Sequence, residues 1–162
     1  MIVLVGFMGA GKTTVGRLLA AKLGLPFTDS DPVIEERAGK PISRIFADDG
    51  EPAFRLLEHR VRAGQQVRDH LVLALGGGAA SHPGTRSLLA AVPVVYLRVG
   101  YAEAFARVGG DKGRPMLARD DVFDLYEQRL AVYDSVATLT IDTDRRRPED
   151  VAADILVRLD HE

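Results

Sequence analysis

Eight consecutive residues, Gly6-Phe7-Met8-Gly9-Ala10-Gly11-Lys12-Thr13, set two glycines four residues apart and follow them with Lys and Thr. That pattern is the phosphate-binding P-loop, in which backbone N–H groups of a glycine loop and the positive end of the next helix wrap a polyphosphate. Gly9, Ala10 and Gly11 would supply N–H groups, Lys12 would neutralise the β and γ phosphates, Thr13 would ligate Mg²⁺ and Thr14 would reach the α phosphate. A second candidate is Asp29-Ser30-Asp31-Pro32. A carboxylate at the carboxyl end of a parallel strand can hold Mg²⁺ through water, and its neighbour can orient or deprotonate an acceptor hydroxyl. The local alternative is that Asp31, just before Pro32, caps a helix with Pro in the first turn. Taken alone, the cap is the simpler reading.

Other candidates are weaker one at a time. Arg55 and Glu58 lie three apart on a helical pattern whose stripe is Phe54, Leu57 and Val61, as a surface ion pair would. Gly76-Gly77-Gly78 follows an apolar strand and would let backbone approach a ligand closely. Arg114 sits in a glycine- and charge-rich stretch suited to a cationic lid or to plain solvation. Arg129 lies one helical turn before Tyr133.

The elements that position these residues alternate. Ile2 to Val5 reads as a strand buried on both faces, and Val15, Leu18, Leu19 and Leu23 repeat at helical spacing until Gly24 and Pro26. A short strand near Phe27, a helical pattern over 33–67, a strand over 71–75 and a helix from Pro83 follow. Next come a strand over 92–97, a helix over 101–108, a loop over 109–121, a long helix to Val136, a strand over 138–141 and a helix after Pro148. Five strands separated by helices predict an α/β fold with a five-stranded parallel sheet flanked by helices. The 162 residues, without internal repeat or linker, are expected to form a single domain, 1–162.

Composition narrows the function. The 21 basic and 23 acidic residues leave a net charge of -2, which argues against a nucleic-acid or membrane surface recognised by bulk charge. The basic set is 17 Arg and only 4 Lys, a bias toward the residue that binds carboxylate and phosphate bidentately. No cysteine is present, excluding disulfides, thiol nucleophiles and Cys-ligated zinc, and four scattered histidines make no ligand set. The longest near-apolar run, 88–97, is half a membrane span and contains Pro93. With no basic leader before the first strand, the expectation is a cytoplasmic protein, and the lack of a long apolar surface stretch makes it a monomer.

Taken together, 6–14, the Asp29/Asp31 pair, 42–46 with Gly50-Glu51 to Glu58, Gly76-Gly77-Gly78, Arg114-Pro115-Met116-Leu117, Arg129 with Tyr133, and Asp142 to Pro148 resemble the shikimate kinase family along nearly the whole chain. The resemblance implies a nucleoside-monophosphate-kinase-like fold with a substrate-binding region at about 31–60 and a lid at about 109–120, and ATP-dependent phosphorylation of the shikimate 3-hydroxyl in aromatic amino acid biosynthesis. It implies that Asp31 binds that hydroxyl and acts as its base, and that Asp29 holds Mg²⁺ through water beside Thr13. Arg55, Arg129 and the backbone of Gly76, Gly77 and Gly78 would bind shikimate. Arg114 would stabilise the transferring group, while Arg107 and Arg147-Pro148 would flank adenine. Two other readings differ in outcome: a kinase for another small polyol acid such as gluconate, and a nucleotide-dependent module without phosphoryl transfer. The residues between Gly6 and Gly9 are Phe7-Met8, a departure that touches no proposed ligand.

Overall fold

The computed structural model describes residues 1–41, 44–45, 48–50, 52, 56, 59, 70–76, 78–81, 83–108 and 122–161. Among these, five strands form one parallel sheet: β1 (Ile2–Val5), β2 (Phe27–Asp29), β3 (Val72–Ala74), β4 (Val94–Arg98) and β5 (Leu139–Asp142), in the order β2-β3-β1-β4-β5. The described residues include the α-helices α1 (Lys12–Leu23), α2 (Ser30–Ala38), α3 (Pro83–Leu89), α4 (Tyr101–Val108), α5 (Val122–Val136) and α6 (Pro148–Leu159). The parallel α/β architecture expected from the alternating pattern is present.

Burial explains the order. Val3, Leu4, Val72, Leu73, Val94 and Val95 are fully buried, so β1, β3 and β4 form the two-sided core that uninterrupted β-branched and Leu runs specify. The chain fills one side of β1 with β2 and β3, then crosses to the other side for β4 and β5. Such a reversal opens a crevice at the carboxyl ends of the strands, and the 6–11 loop leaves the central strand there.

Helix α1 lies close to the sheet because residue 16 is glycine: a Cβ there would stand 2.5 Å from the Phe27 ring and 3.1 Å from Leu4. On another side α1 packs against α6. At its far end Gly24 takes a left-handed conformation and its N–H bonds the carbonyls of Ala20 and Ala21, ending the helix before Pro26 as expected.

Several expectations require correction. The helical pattern over 33–67 is not one helix: α2 starts at Ser30 and stops at Ala38, where left-handed Gly39 (φ 72) donates its N–H to Glu35 O. Residues 44–45, 48–50, 52, 56 and 59 are helical again, and the rest of that stretch lies outside the described residues. Strands β4 and β5 run one residue beyond their last apolar position because Arg98 and Asp142 are register partners joined by a bidentate ion pair. Between Gly78 and α3 the chain makes an unanticipated 3-10 turn, Ala79–Ser81, with Ala79 N–H on Gly76 O and Ser81 N–H on Gly78 O. The expected loop over 109–121 lies outside the described residues.

Candidate active site

The phosphate side of the cleft is built from backbone conformation. Gly9 has φ 83, and a Cβ on it would approach Ala104 O to 2.6 Å, so only glycine lets the loop pass beneath α4. Gly11 (φ 91) is the N-cap of α1 and provides no side-chain hydrogen bond to it, and no acidic residue occupies the first turn. Without a carboxylate competitor, the helix's first N–H groups and its positive end suit an anion. Lys12 Nζ donates to Gly6 O at 2.8 Å and to Phe7 O at 3.1 Å, holding its ammonium inside the loop. Met8 and Phe7 are buried beneath that loop, where Phe7 meets Tyr126 edge to face, so their apolar character anchors it from below.

The opposite side comes from the ends of β2 and β3. Asp29 uses both carboxylate oxygens: Oδ2 accepts the Thr13 hydroxyl at 2.6 Å, and Oδ1 accepts the backbone N–H of Asp31 at 3.1 Å. Asp29 is therefore the cap of α2, which corrects the local reading of Asp31 as that cap. Pro32 is the third helical residue, so its missing N–H falls among the groups a helix start leaves without internal partners. Asp31 instead lines the cleft, with Oδ1 buried there.

Ser30, which the sequence alone did not single out, is fully buried and its Oγ accepts the Gly76 N–H at 3.0 Å. This bond spans 46 positions and ties the carboxylate-bearing turn to the glycine run. The signal available beforehand was an accounting one: the N–H of a glycine leaving a buried strand needs an acceptor.

Gly9, Gly11, Lys12, Thr13, Thr14, Asp29, Asp31, Ala74, Leu75, Gly76 and Arg107 line a cleft of about 230 Å³. Arg107 stands at its edge, with Nη1 donating to Gly9 O at 2.9 Å and Nη2 to Thr143 O at 3.0 Å. Ala10, buried under the loop, and Gly78, Arg129, Arg147 and Pro148 are outside the described lining of this cleft. Arg129 is 6% exposed on α5, beside buried Tyr133, while Arg147 is an exposed residue that caps α6 by its backbone and pairs with Asp150. Arg55, Gly77 and Arg114 lie outside the described residues.

For a metal, the relevant donors are the Thr13 hydroxyl and the Asp29 carboxylate, adjacent hard oxygens on the cleft wall. Among the described residues no group of three or more His, Cys, Asp or Glu forms an all-protein cage. One hydroxyl and one carboxylate suit Mg²⁺, which keeps several waters and shares its coordination with substrate phosphates. Among the described residues no helix is long and apolar enough to cross a membrane.

Comparison with known proteins supplies the family. The shikimate kinase family model matches residues 8–160. Shikimate kinase of Thermobifida fusca is 49% identical over 155 residues, covering 94% of this chain and 90% of the relative. That of Mycobacterium ulcerans is 46% identical over 162 residues, covering 98% and 88%. The structure of shikimate kinase from Acinetobacter baumannii in complex with shikimate aligns with a TM-score of 0.94 at 41% identity, covering 99% of this chain and 93% of that one. A P-loop on the central strand, a carboxylate pair facing it and these near full-length matches agree: the chain belongs to the shikimate kinase family.

Proposed function

We propose that the cleft between the P-loop and the end of β2 is where this shikimate kinase transfers the γ-phosphoryl group of ATP to the 3-hydroxyl of shikimate. The observation that carries this placement is that Lys12, Thr13, Asp29 and Asp31 line one cleft, with the Thr13 hydroxyl 2.6 Å from the Asp29 carboxylate. The P-loop N–H groups and Lys12 bind the β and γ phosphates. Thr13 and, through water, Asp29 would hold Mg²⁺, which supplies charge neutralisation across the phosphates when bound. Asp31 accepts the proton of the 3-hydroxyl as its oxygen attacks phosphorus; the bond from phosphorus to the bridging oxygen breaks, and ADP carries that electron pair away.

The remaining roles extend from the family resemblance. Arg55 and Arg129, with backbone at Gly76, Gly77 and Gly78, clamp the carboxylate and hydroxyls of shikimate. Arg114 stabilises charge on the transferring group, and its closure excludes water that would otherwise take it. Arg107 and Arg147-Pro148 flank adenine, Arg107 being the one of these at the cleft edge. We also place the enzyme in the cytoplasm as a monomer without nucleic-acid or membrane partners, and the last of these is supported by its near-neutral charge.

An ADP-release assay with MgATP tests this directly. Release is expected to require shikimate, with a mass gain of one phosphate on it. Turnover with gluconate and none with shikimate would reassign the acceptor, and ATP binding with no phosphorylated product would leave a binding module.

A further inference from the structure

Behind Arg107, one acidic side chain ties helix α4 to the 143–147 turn. Glu103 lies on α4 one turn before Arg107, and its Oε1 accepts the Arg107 Nη2 group at 2.6 Å. Both oxygens of the same carboxylate also accept the backbone N–H of Arg145, each at 3.1 Å. Arg145 has φ 57, the left-handed conformation, and among the described residues no other non-glycine residue has a positive φ. An arginine is held there only when its surroundings impose it. The guanidinium that Glu103 holds is the one that reaches the P-loop at Gly9 O and the 143–147 turn at Thr143 O.

An ordinary exposed pair four residues apart on a helix would set little. This one differs because its carboxylate also fixes a strained backbone. The Arg145 N–H, aided by Arg107, holds the Glu103 carboxyl below its usual range. The turn has further ties of its own: Thr143 N–H and Oγ1 to Arg98 O at 2.9 and 3.1 Å, Gly100 N–H to Asp144 Oδ1 at 2.9 Å, Arg146 N–H to Thr143 O at 3.2 Å and Arg146 Nη1 to Asp154 Oδ2 at 3.1 Å. Those ties hold the residues on either side of Arg145, whereas the N–H of Arg145 itself is held by Glu103.

We propose that Glu103 is a positioning residue for the nucleotide: it locks Arg107 and the 143–147 turn in one arrangement, so that the seat for the base end of ATP is formed before ATP arrives. This rests on the reading that Arg107 flanks the nucleotide. Glu103 does not touch the phosphates; it raises the fraction of molecules whose base seat is competent, and apparent affinity scales with that fraction. If its removal leaves the seat formed a tenth of the time, the Kd for ATP rises about tenfold.

The experiment compares ATP with inorganic triphosphate, which occupies a P-loop but has no base, by calorimetric binding to the wild type, E103A, E103Q and R107A. Both Glu103 variants are expected to weaken ATP about tenfold, to leave triphosphate unchanged, and to raise KM for ATP while KM for shikimate stays within about twofold. Equal weakening of ATP and triphosphate would overturn the proposal, since Glu103 would then act on the P-loop as a whole. Unchanged ATP binding in E103A and E103Q would also overturn it, and R107A then shows where the fault lies. A weakened R107A keeps Arg107 at the nucleotide and rejects only Glu103, whereas an unchanged R107A removes Arg107 from the nucleotide as well.

Discussion

The phosphate wall of the cleft is a single stretch of chain, residues 6–14, whose shape comes from glycine backbone at Gly9 and Gly11 and from Lys12 bonding its own loop. The opposite wall is assembled: Asp29, Ser30 and Asp31 arrive at the end of β2, Gly76 at the end of β3, and a buried hydroxyl joins them. The first wall depends on local conformation, and the second on two strands pairing in register with Asp29 opposite Ala74. Damage to the first should therefore act through backbone strain and nucleotide binding. Damage at Ser30 or Asp31 in the second should act through the acceptor while leaving the nucleotide bound, whereas damage at Asp29 should act on both, because it bonds Thr13.

Substitutions at the two walls can separate these effects. The largest change is expected for Asp31→Asn, which keeps the shape of the acceptor wall and removes the base. Turnover should fall roughly 10²- to 10⁴-fold while the Kd for ATP moves by no more than about twofold, read by steady-state kinetics and direct nucleotide binding. An equal loss of ATP affinity would show that the walls are not independent. Gly9→Ala tests the other wall. With φ 83 and Ala104 O 2.6 Å from the new Cβ, it should destabilise the fold by about 2–4 kcal/mol in denaturant unfolding and weaken ATP. Unchanged unfolding would mean that the loop can shift without strain.

Ser30→Ala comes next. It leaves the Gly76 N–H without its acceptor, a cost of about 1–3 kcal/mol, and should raise KM for shikimate more than KM for ATP. A rise confined to ATP would break the assignment of this hydroxyl to the acceptor wall. The smallest effect belongs to neither wall. The hydrogen bonds and charge of Arg98 hold the Asp142 carboxyl below its usual 3.8, so the pair's contribution is full above that value and is lost as pH falls through the lower folded one. Because the pair is more than half exposed, melting at pH 6 and at about pH 3 should differ between wild type and Asp142→Asn by no more than about 1 kcal/mol, less in high salt.

The same contrast explains what could be read from sequence. The P-loop was legible because its eight residues are adjacent, and α1 and α4 because glycine and apolar spacing mark their limits. The Asp29/Asp31 pair was legible as a pair, but which carboxylate caps α2 depends on the backbone angles of Asp29 at a strand end, which no residue type announces. Ser30 was not legible at all: its partner is set by strand order, and a serine between two aspartates looks like any turn residue. Strand ends were misjudged where charge rather than apolar character continues the ladder, as at Arg98 and Asp142. Glu103 carried no signal either, since its importance depends on the left-handed Arg145 42 positions away.

Gly16 bears on how this enzyme could be engineered. A glycine in a helix interior costs about 1 kcal/mol relative to alanine, so a routine thermostabilisation scan would select it for replacement. Here the added methyl would press on the Phe27 ring and lever α1 away from β2. Thr13 is on that helix and Asp29 on that strand, joined at 2.6 Å, so the displacement would open the oxygen pair offered to the metal. The chain thus gives up helix stability at one position to fix a distance at another, and an alanine variant with a higher melting temperature should be screened for a weakened Mg²⁺ response before it is counted as an improvement.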